Sequence, residues 1–309
     1  MENTITTPSL EGFANEVLRE MQNRGYDCSI MSKDLLNGGQ ATGIRLNKEG
    51  SASPVCYLEG SYDELMSGTP FNEVVDIFIN SLVKAKRFDF EESTLTDWNC
   101  VAPRLRLRLI GRKGNDAYLK NVPYLEFGDL AVICYVQLDS STCSASTKVT
   151  NGMLKYWEKD ITEVFDRAKE NSFANIRVSG MFETLARMNS ALAESISEPT
   201  EEMMYVCTGK DSSSGVPGIL DTNMLSTFAS ENGIDSFFII PSSIHELIFV
   251  KDAGSNAAML NEMIQDVNIS ELESTDILSN HYYEFNNGKV YDDEGNELIL
   301  RFPPFVVAA

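Results

Sequence analysis

Apolar residues in this chain fall into two rhythms. Leu10, Phe13, Ala14, Val17, Leu18 and Met21 keep the three-and-four spacing of one helical face. Pro8 suits the first turn of that helix and Gly25 its end. Phe71, Val74, Val75, Phe78, Ile79, Leu82 and Val83 repeat the spacing after Thr69 and Pro70. Between these helices, residues 28–31, 41–46 and 54–58 predict short strands, with Asn37, Gly38 and Gly39 turning the first into the second. Residues 1–92 therefore predict a helix, three strands and a helix.

From Arg104 to Leu109, arginine and leucine alternate strictly, which places three arginines on one side of a strand and three leucines on the other. Residues 129–138 form the most apolar stretch and predict a central strand, with 148–150 ending its hairpin partner. Asp160 and Glu163 have capping-box spacing ahead of Ile161, Val164, Phe165 and Ala168, and a further helix is expected over 182–192. The rhythm then repeats as strand 203–208, helix 222–232 closed by Gly233, strands 236–241 and 245–250, and helix 256–267. Asn287-Gly288 is a two-residue hairpin signal between 282–285 and 289–291, and Glu294-Gly295-Asn296 predicts another turn before a strand at 298–302. The fold class is α+β, with mixed or antiparallel sheets flanked by helices. The expected subdomains are 1–92, 93–198 and 199–309.

Charge sharpens the last boundary. The 309 residues carry a net charge of -21, and residues 194–309 hold 20 of the 46 acidic side chains but only 4 of the 25 basic ones. That segment carries -16 and the rest -5, and Glu194, Glu198, Glu201 and Glu202 surround Pro199. Such a field disfavours nucleic acid and anionic lipid as partners and favours simple solubility first, and after it a basic partner, a protein or basic ligand. No apolar run approaches the length of a membrane span, and the first residues lack a signal peptide's basic and apolar regions, so a cytoplasmic protein is expected. The six cysteines, Cys28, Cys56, Cys100, Cys134, Cys143 and Cys207, have no CxxC spacing, and Cys56 and Cys134 sit in apolar runs. They read as reduced thiols rather than zinc ligands.

The recognised catalytic patterns fail one by one. Gly209-Lys210 is not a phosphate loop, because Met204 stands where the motif needs its first glycine and Asp211 where it needs Ser or Thr; residues 210–215 read as a polar loop. The acidic run from Asp292 to Glu297 lacks the alternate ligand spacing of an EF-hand. With only His245 and His281, neither a HExxH site nor a GxSxG elbow is formed, and no metal or cofactor is assigned.

Two places remain for a site. In Pro241-Ser242-Ser243-Ile244-His245-Glu246, two strands meet and Ser243 and His245 lie two apart, so a hydroxyl and an imidazole can face the same side. A nucleophile and base at Ser243 and His245, with Glu246 or Cys207 nearby, would make a hydrolase or transferase; against it, Ser and Pro are turn formers and a histidine beside a turn satisfies backbone groups. Arg104, Arg106 and Arg108, followed by Arg112, Lys113 and Lys120, make the one basic patch, suited to phosphate or an acidic protein surface or, the favoured reading, to the chain's own acidic half.

Several stretches together resemble a family of uncharacterised bacterial proteins catalogued only as a domain of unknown function. They are Thr42-Gly43-Ile44-Arg45-Leu46, Ser53-Pro54-Val55-Cys56-Tyr57-Leu58-Glu59, Val122-Pro123, Asp129-Leu130-Ala131-Val132, Met204-Tyr205-Val206, the run from Ile240 to Ile248, and Ile277-Leu278-Ser279. The resemblance implies an α+β fold and assigns no activity and no catalytic residue. The sequence therefore leads to a non-catalytic cytoplasmic interaction protein with an acidic C-terminal surface, with the Ser243/His245 enzyme as the alternative.

Overall fold

The computed structural model describes residues 9–47, 55–84, 93–138, 145–188, 201–210, 214–251 and 257–303. Pro8, Pro54, Cys143, Asp211, the end of the helix expected over 182–192, the first residue of that expected over 256–267 and the boundary expected at Pro199 lie outside these residues. The chain divides into two compact units, Met1–Phe90 and Glu91–Ala309. All strand pairing in its three sheets is antiparallel.

In the first unit, α1 (Leu10–Asn23) leads into β1 (Cys28–Asp34), β2 (Gln40–Leu46) and β3 (Val55–Tyr57), then α2 (Glu59–Met66) and α3 (Phe71–Lys84). Ser9 caps α1 by accepting from the Gly12 N–H at 3.1 Å. The strands pair in chain order, and Phe13, Val17 and Met21 of α1 meet Val75, Phe78 and Leu82 of α3 in one core with Ile44 and Leu58. The spaced apolar positions that predict the two helices bury, with Leu10, Leu18 and Phe71 partly so, except Val83, which is exposed.

The second unit opens with two single turns, α4 (Ser93–Thr96) and α5 (Trp98–Val101), before β4 (Leu105–Gly111). The turn α6 (Asp116–Leu119), β5 (Tyr124–Phe127), β6 (Leu130–Gln137), β7 (Ser146–Lys148), α7 (Asn151–Trp157) and α8 (Ile161–Ala174) follow. β6 pairs with β4 along one side and with β5 and β7 along the other. That central place explains its unbroken apolar run, because both faces and both edges are covered. Helix α8 starts at Asp160, whose carboxylate accepts from the Glu163 N–H at 2.8 Å. It then covers the β4 edge: Ser172 Oγ accepts from Leu107 N–H at 2.8 Å, and Asn171 donates to the Ala102 and Leu105 carbonyls.

The second sheet uses β8 (Ile176–Gly180), β9 (Met204–Gly209), β10 (Ser236–Pro241), β11 (Leu247–Val250), β12 (Tyr283–Asn286) and β13 (Lys289–Asp292) in the order β13-β12-β10-β11-β9-β8. Its helices are α9 (Met181–Met188), α10 (Thr222–Asn232) and α11 (Ala257–Glu271). On one face, Phe228 of α10 packs its ring against Tyr205, Phe237 and Phe249 at 4.9, 4.9 and 5.2 Å. On the other, β10 and β11 turn Ile240 and Ile248 toward α11. Asn287 and Gly288, both at positive φ, make the tight turn into β13 that the Asn-Gly pair predicts.

Four expectations change. Residues 93–198 and 199–309 share one sheet, since β8 pairs with β9 across their expected boundary; the charge step at 199 falls inside a single folded unit. Helix α2 was not expected: no residue of it is buried, so it carries no full apolar stripe. The loop after Gly209 is polar only at its start, because residues 214–219 are buried. Gly215 fits there because an added Cβ would lie 2.3 Å from the Thr208 Cα. Residues 298–302 form no strand; Arg301 alone bridges to Glu126 at the β5 edge.

A candidate interaction groove beside the 242–246 turn

The turn between β10 and β11 is built by its serines. Ser243 Oγ accepts from the His245 main-chain N–H at 3.1 Å, the local bond that makes serine a turn former. The His245 imidazole is 57% exposed, and its Nε2 lies 3.9 Å from Asp276. Main-chain groups tie the turn down from below: buried Ser214 donates to the Ile244 carbonyl at 2.8 Å, and Gly215 N–H donates to the His245 carbonyl at 2.8 Å. Glu246 accepts from Thr208 Oγ1 at 3.2 Å. Nothing in this arrangement aims a base at the Ser243 hydroxyl. Cys207 lies beneath, and burial pushes its thiol up to about 12, so it is no nucleophile at neutral pH.

The arginine strip is divided. Arg104 is exposed in the 3₁₀ turn before β4 and not on the strand. Arg106 and Arg108 lie on β4 as the alternation requires, between buried Leu105, Leu107 and Leu109. Arg106 donates to the Pro103 and Leu105 carbonyls at 2.9 and 3.0 Å, and Arg108 stacks 4.4 Å from the Tyr135 ring centre. Arg112 pairs with Glu126.

One cluster escaped the sequence reading. Asp129, in the turn between β5 and β6, accepts from Tyr283 OH at 2.7 Å, from Ser279 Oγ at 3.0 Å and from His281 Nε2 at 3.2 Å. Asp293 lies 3.4 Å from the other imidazole nitrogen. The hydrogen bond to Asp129 raises His281 to about 9 against the opposing effect of burial. Burial alone would push the Asp129 carboxyl up; the bonds from His281, Tyr283 and Ser279 outweigh it and hold the group below the usual carboxylate range. Ser279 donates to the carboxylate and not to the imidazole, so the order of partners is that of a structural pin rather than a catalytic triad. The pin fastens the β5–β6 turn to the start of β12.

The Ser242 end of the turn opens onto a cleft of about 210 Å³ between α11 and the sheet face. Its walls are Met204, Ile240, Ile248, Leu260, Met263 and Val267, and no charged side chain lines it. Leu260 and Ile264 bury against the sheet, whereas Met204, Met263 and Val267 remain 43%, 59% and 49% exposed. Glu262 and Asp266 are exposed on the helical row of α11 next to Met263 and Val267. Polar bonds fix the helix: Asn268, which also lines the cleft, donates to the Ser279 carbonyl at 2.9 Å, and Asn261 accepts from Tyr282 N–H and donates to Asp293. A second cavity, of about 300 Å³, is lined on one side by core residues including Leu107, Val132, Phe165 and Ile219 and on the other by exposed Lys169, Lys289 and Glu297.

Among the described residues, no group of His, Cys, Asp and Glu side chains is arranged to hold a metal ion, and no helix is long and apolar enough to cross a membrane. Cys28, Cys56, Cys100, Cys134 and Cys207 are free thiols. Fold and groove together define an α+β protein with an open, methionine-lined cleft on its acidic side. The chain belongs to the family of unknown function DUF5688, whose model matches residues 10–287. No curated protein and no solved structure matches it.

Proposed function

We propose that this is a non-catalytic, cytoplasmic interaction protein that offers the α11 cleft to a protein partner. The observation that carries the reading is the cleft itself: apolar side chains left open to solvent, with exposed carboxylates on the next helical row, on the segment that holds -16 of the chain's charge. Free thiols support a reducing compartment. Ser243 Oγ accepts from the His245 main-chain N–H, which supports a turn-forming role over that of a nucleophile.

The test compares wild-type protein with the double variant Glu262→Lys, Asp266→Lys in affinity capture from lysate at low and high salt. Surface electrostatics weaken as the Debye length falls from about 10 Å at 0.1 M to about 3 Å at 1 M. The reading expects a protein retained by wild type at low salt, released at high salt and not retained by the variant. Identical capture by both proteins, or none that responds to salt, overturns it.

A further inference from the structure

Resting on that reading, we infer that the segment seated in the cleft is an amphipathic helix whose polar flanks carry Lys or Arg. Its conformation follows from where the cleft lies. β9, β10 and β11 are interior strands, each paired on both sides. Their main-chain groups are already used, so a bound segment cannot add to the sheet as a strand. It must satisfy its own N–H and C=O groups in an apolar setting, which a helix does internally.

The dimensions agree. One wall is the part of α11 from Leu260 to Asn268, about 12 Å long. The floor is built from Met204, Ile248 and Ile240 on three neighbouring strands, and strand spacing of about 4.8 Å makes it roughly 10 Å across, the width of one helix with its side chains. Unbranched methionines at Met204 and Met263 can shift to fit side chains of different shape.

Charge selects among apolar helices. Glu262 and Asp266 follow one exposed row of α11 next to Met263 and Val267. The nearby cations are engaged elsewhere: Lys251 lies 3.9 Å from Glu201 and 5.3 Å from the Tyr205 ring centre, and Arg187 lies 3.9 Å from Glu183 and donates to Ser179 at 3.3 Å. A second copy of a chain with net charge -21 would bring like charge to the cleft, as would an anionic lipid surface. Of the polar residues in the lining, Asn268 donates to the Ser279 carbonyl and to Asn280, which leaves Ser242 to orient a small molecule.

The probe is a synthetic 18-residue peptide with Leu and Ile on one helical face and Lys on its flanks, labelled for fluorescence anisotropy and added to the full chain. Controls are the same composition scrambled to remove the apolar face, and the amphipathic peptide with Lys replaced by Glu. The inference expects the basic amphipathic peptide to bind at least tenfold more tightly than either control. It also expects Met263→Lys, a substitution at an exposed position, to lower that affinity at least tenfold with unchanged thermal unfolding. Equal binding of the scrambled peptide, equal binding of the Glu peptide, or no effect of Met263→Lys overturns it. If no peptide binds while salt-sensitive, variant-sensitive capture from lysate persists, the helix inference fails and the interaction reading stands.

Discussion

Replacing His281 by Asn removes the imidazole that joins Asp129 to Asp293 and leaves Asp129 with its bonds from Tyr283 and Ser279. His281 is raised from its ordinary 6.5 to about 9, and its side chain is 26% exposed, so solvent screens the pair only in part. At about 1.36 kcal/mol per pH unit, protonated His281 stabilises the fold by about 3 kcal/mol. The depressed Asp129 pKa reports the same pair from its other side, so the two are not added. The sign is fixed by linkage. Stability from the raised histidine is complete below 6.5 and is lost as pH rises through about 9. Stability from the lowered carboxylate is present above its ordinary 3.8 and is lost as pH falls through its lowered value. The difference in urea-unfolding free energy between wild type and His281→Asn should therefore be greatest between about pH 4 and 6.5 and shrink by about 3 kcal/mol toward pH 10. Proton NMR gives a direct check, since the chain has only two histidines. A difference in unfolding free energy that does not vary with pH, or a His281 imidazole that titrates near 6.5, refutes the reasoning.

Other outcomes follow from packing. Gly215→Ala places a Cβ 2.3 Å from the Thr208 Cα and 2.5 Å from the Cys207 carbonyl oxygen, where the neighbour is main chain and cannot swing aside. Overpacking of this kind should cost about 3 kcal/mol, read as a lowered urea midpoint, and an unchanged midpoint contradicts it. Asp160→Ala removes the cap of α8 and should cost about 1 kcal/mol in the same assay. In native protein at pH 7.5, iodoacetamide followed by mass spectrometry should modify partly exposed Cys100 well before Cys134 and Cys207, whose buried thiols are held protonated; early labelling of Cys207 would contradict its packing beneath residues 214–218.

What the sequence makes legible is what depends on local spacing. The α1 and α3 stripes, the Asp160 cap, Gly233 at the end of α10 and the Asn287-Gly288 turn each act through neighbours within a few residues, and each appears where its spacing puts it. Features made by distant residues are not legible in this way. Asp129 precedes β6 as an ordinary turn residue until the fold brings His281 and Tyr283 to it. Residues 214–219 have the Ser, Gly and Pro composition of a loop, yet pack into the space that Gly215 and Gly218 leave against β9. Ser243 and His245 were visible as neighbours, but the partner of the hydroxyl is the His245 main chain, and spacing alone does not distinguish that from the ring. The α11 cleft is not legible for a related reason: the spacing predicts only a helix over 256–267, and it takes the packed sheet to show that Leu260 and Ile264 bury while Met263 and Val267 stay open.

The central claim is that the acidic, methionine-lined cleft is where a partner sits. Methionine methyl NMR tests it directly, because Met204 and Met263 line the cleft while Met21 is buried in the other compact unit. With methyl-labelled full-length protein and the basic amphipathic peptide, the account predicts that the Met204 and Met263 signals move in proportion to bound peptide while Met21 stays in place. Binding that leaves Met204 and Met263 unmoved contradicts it.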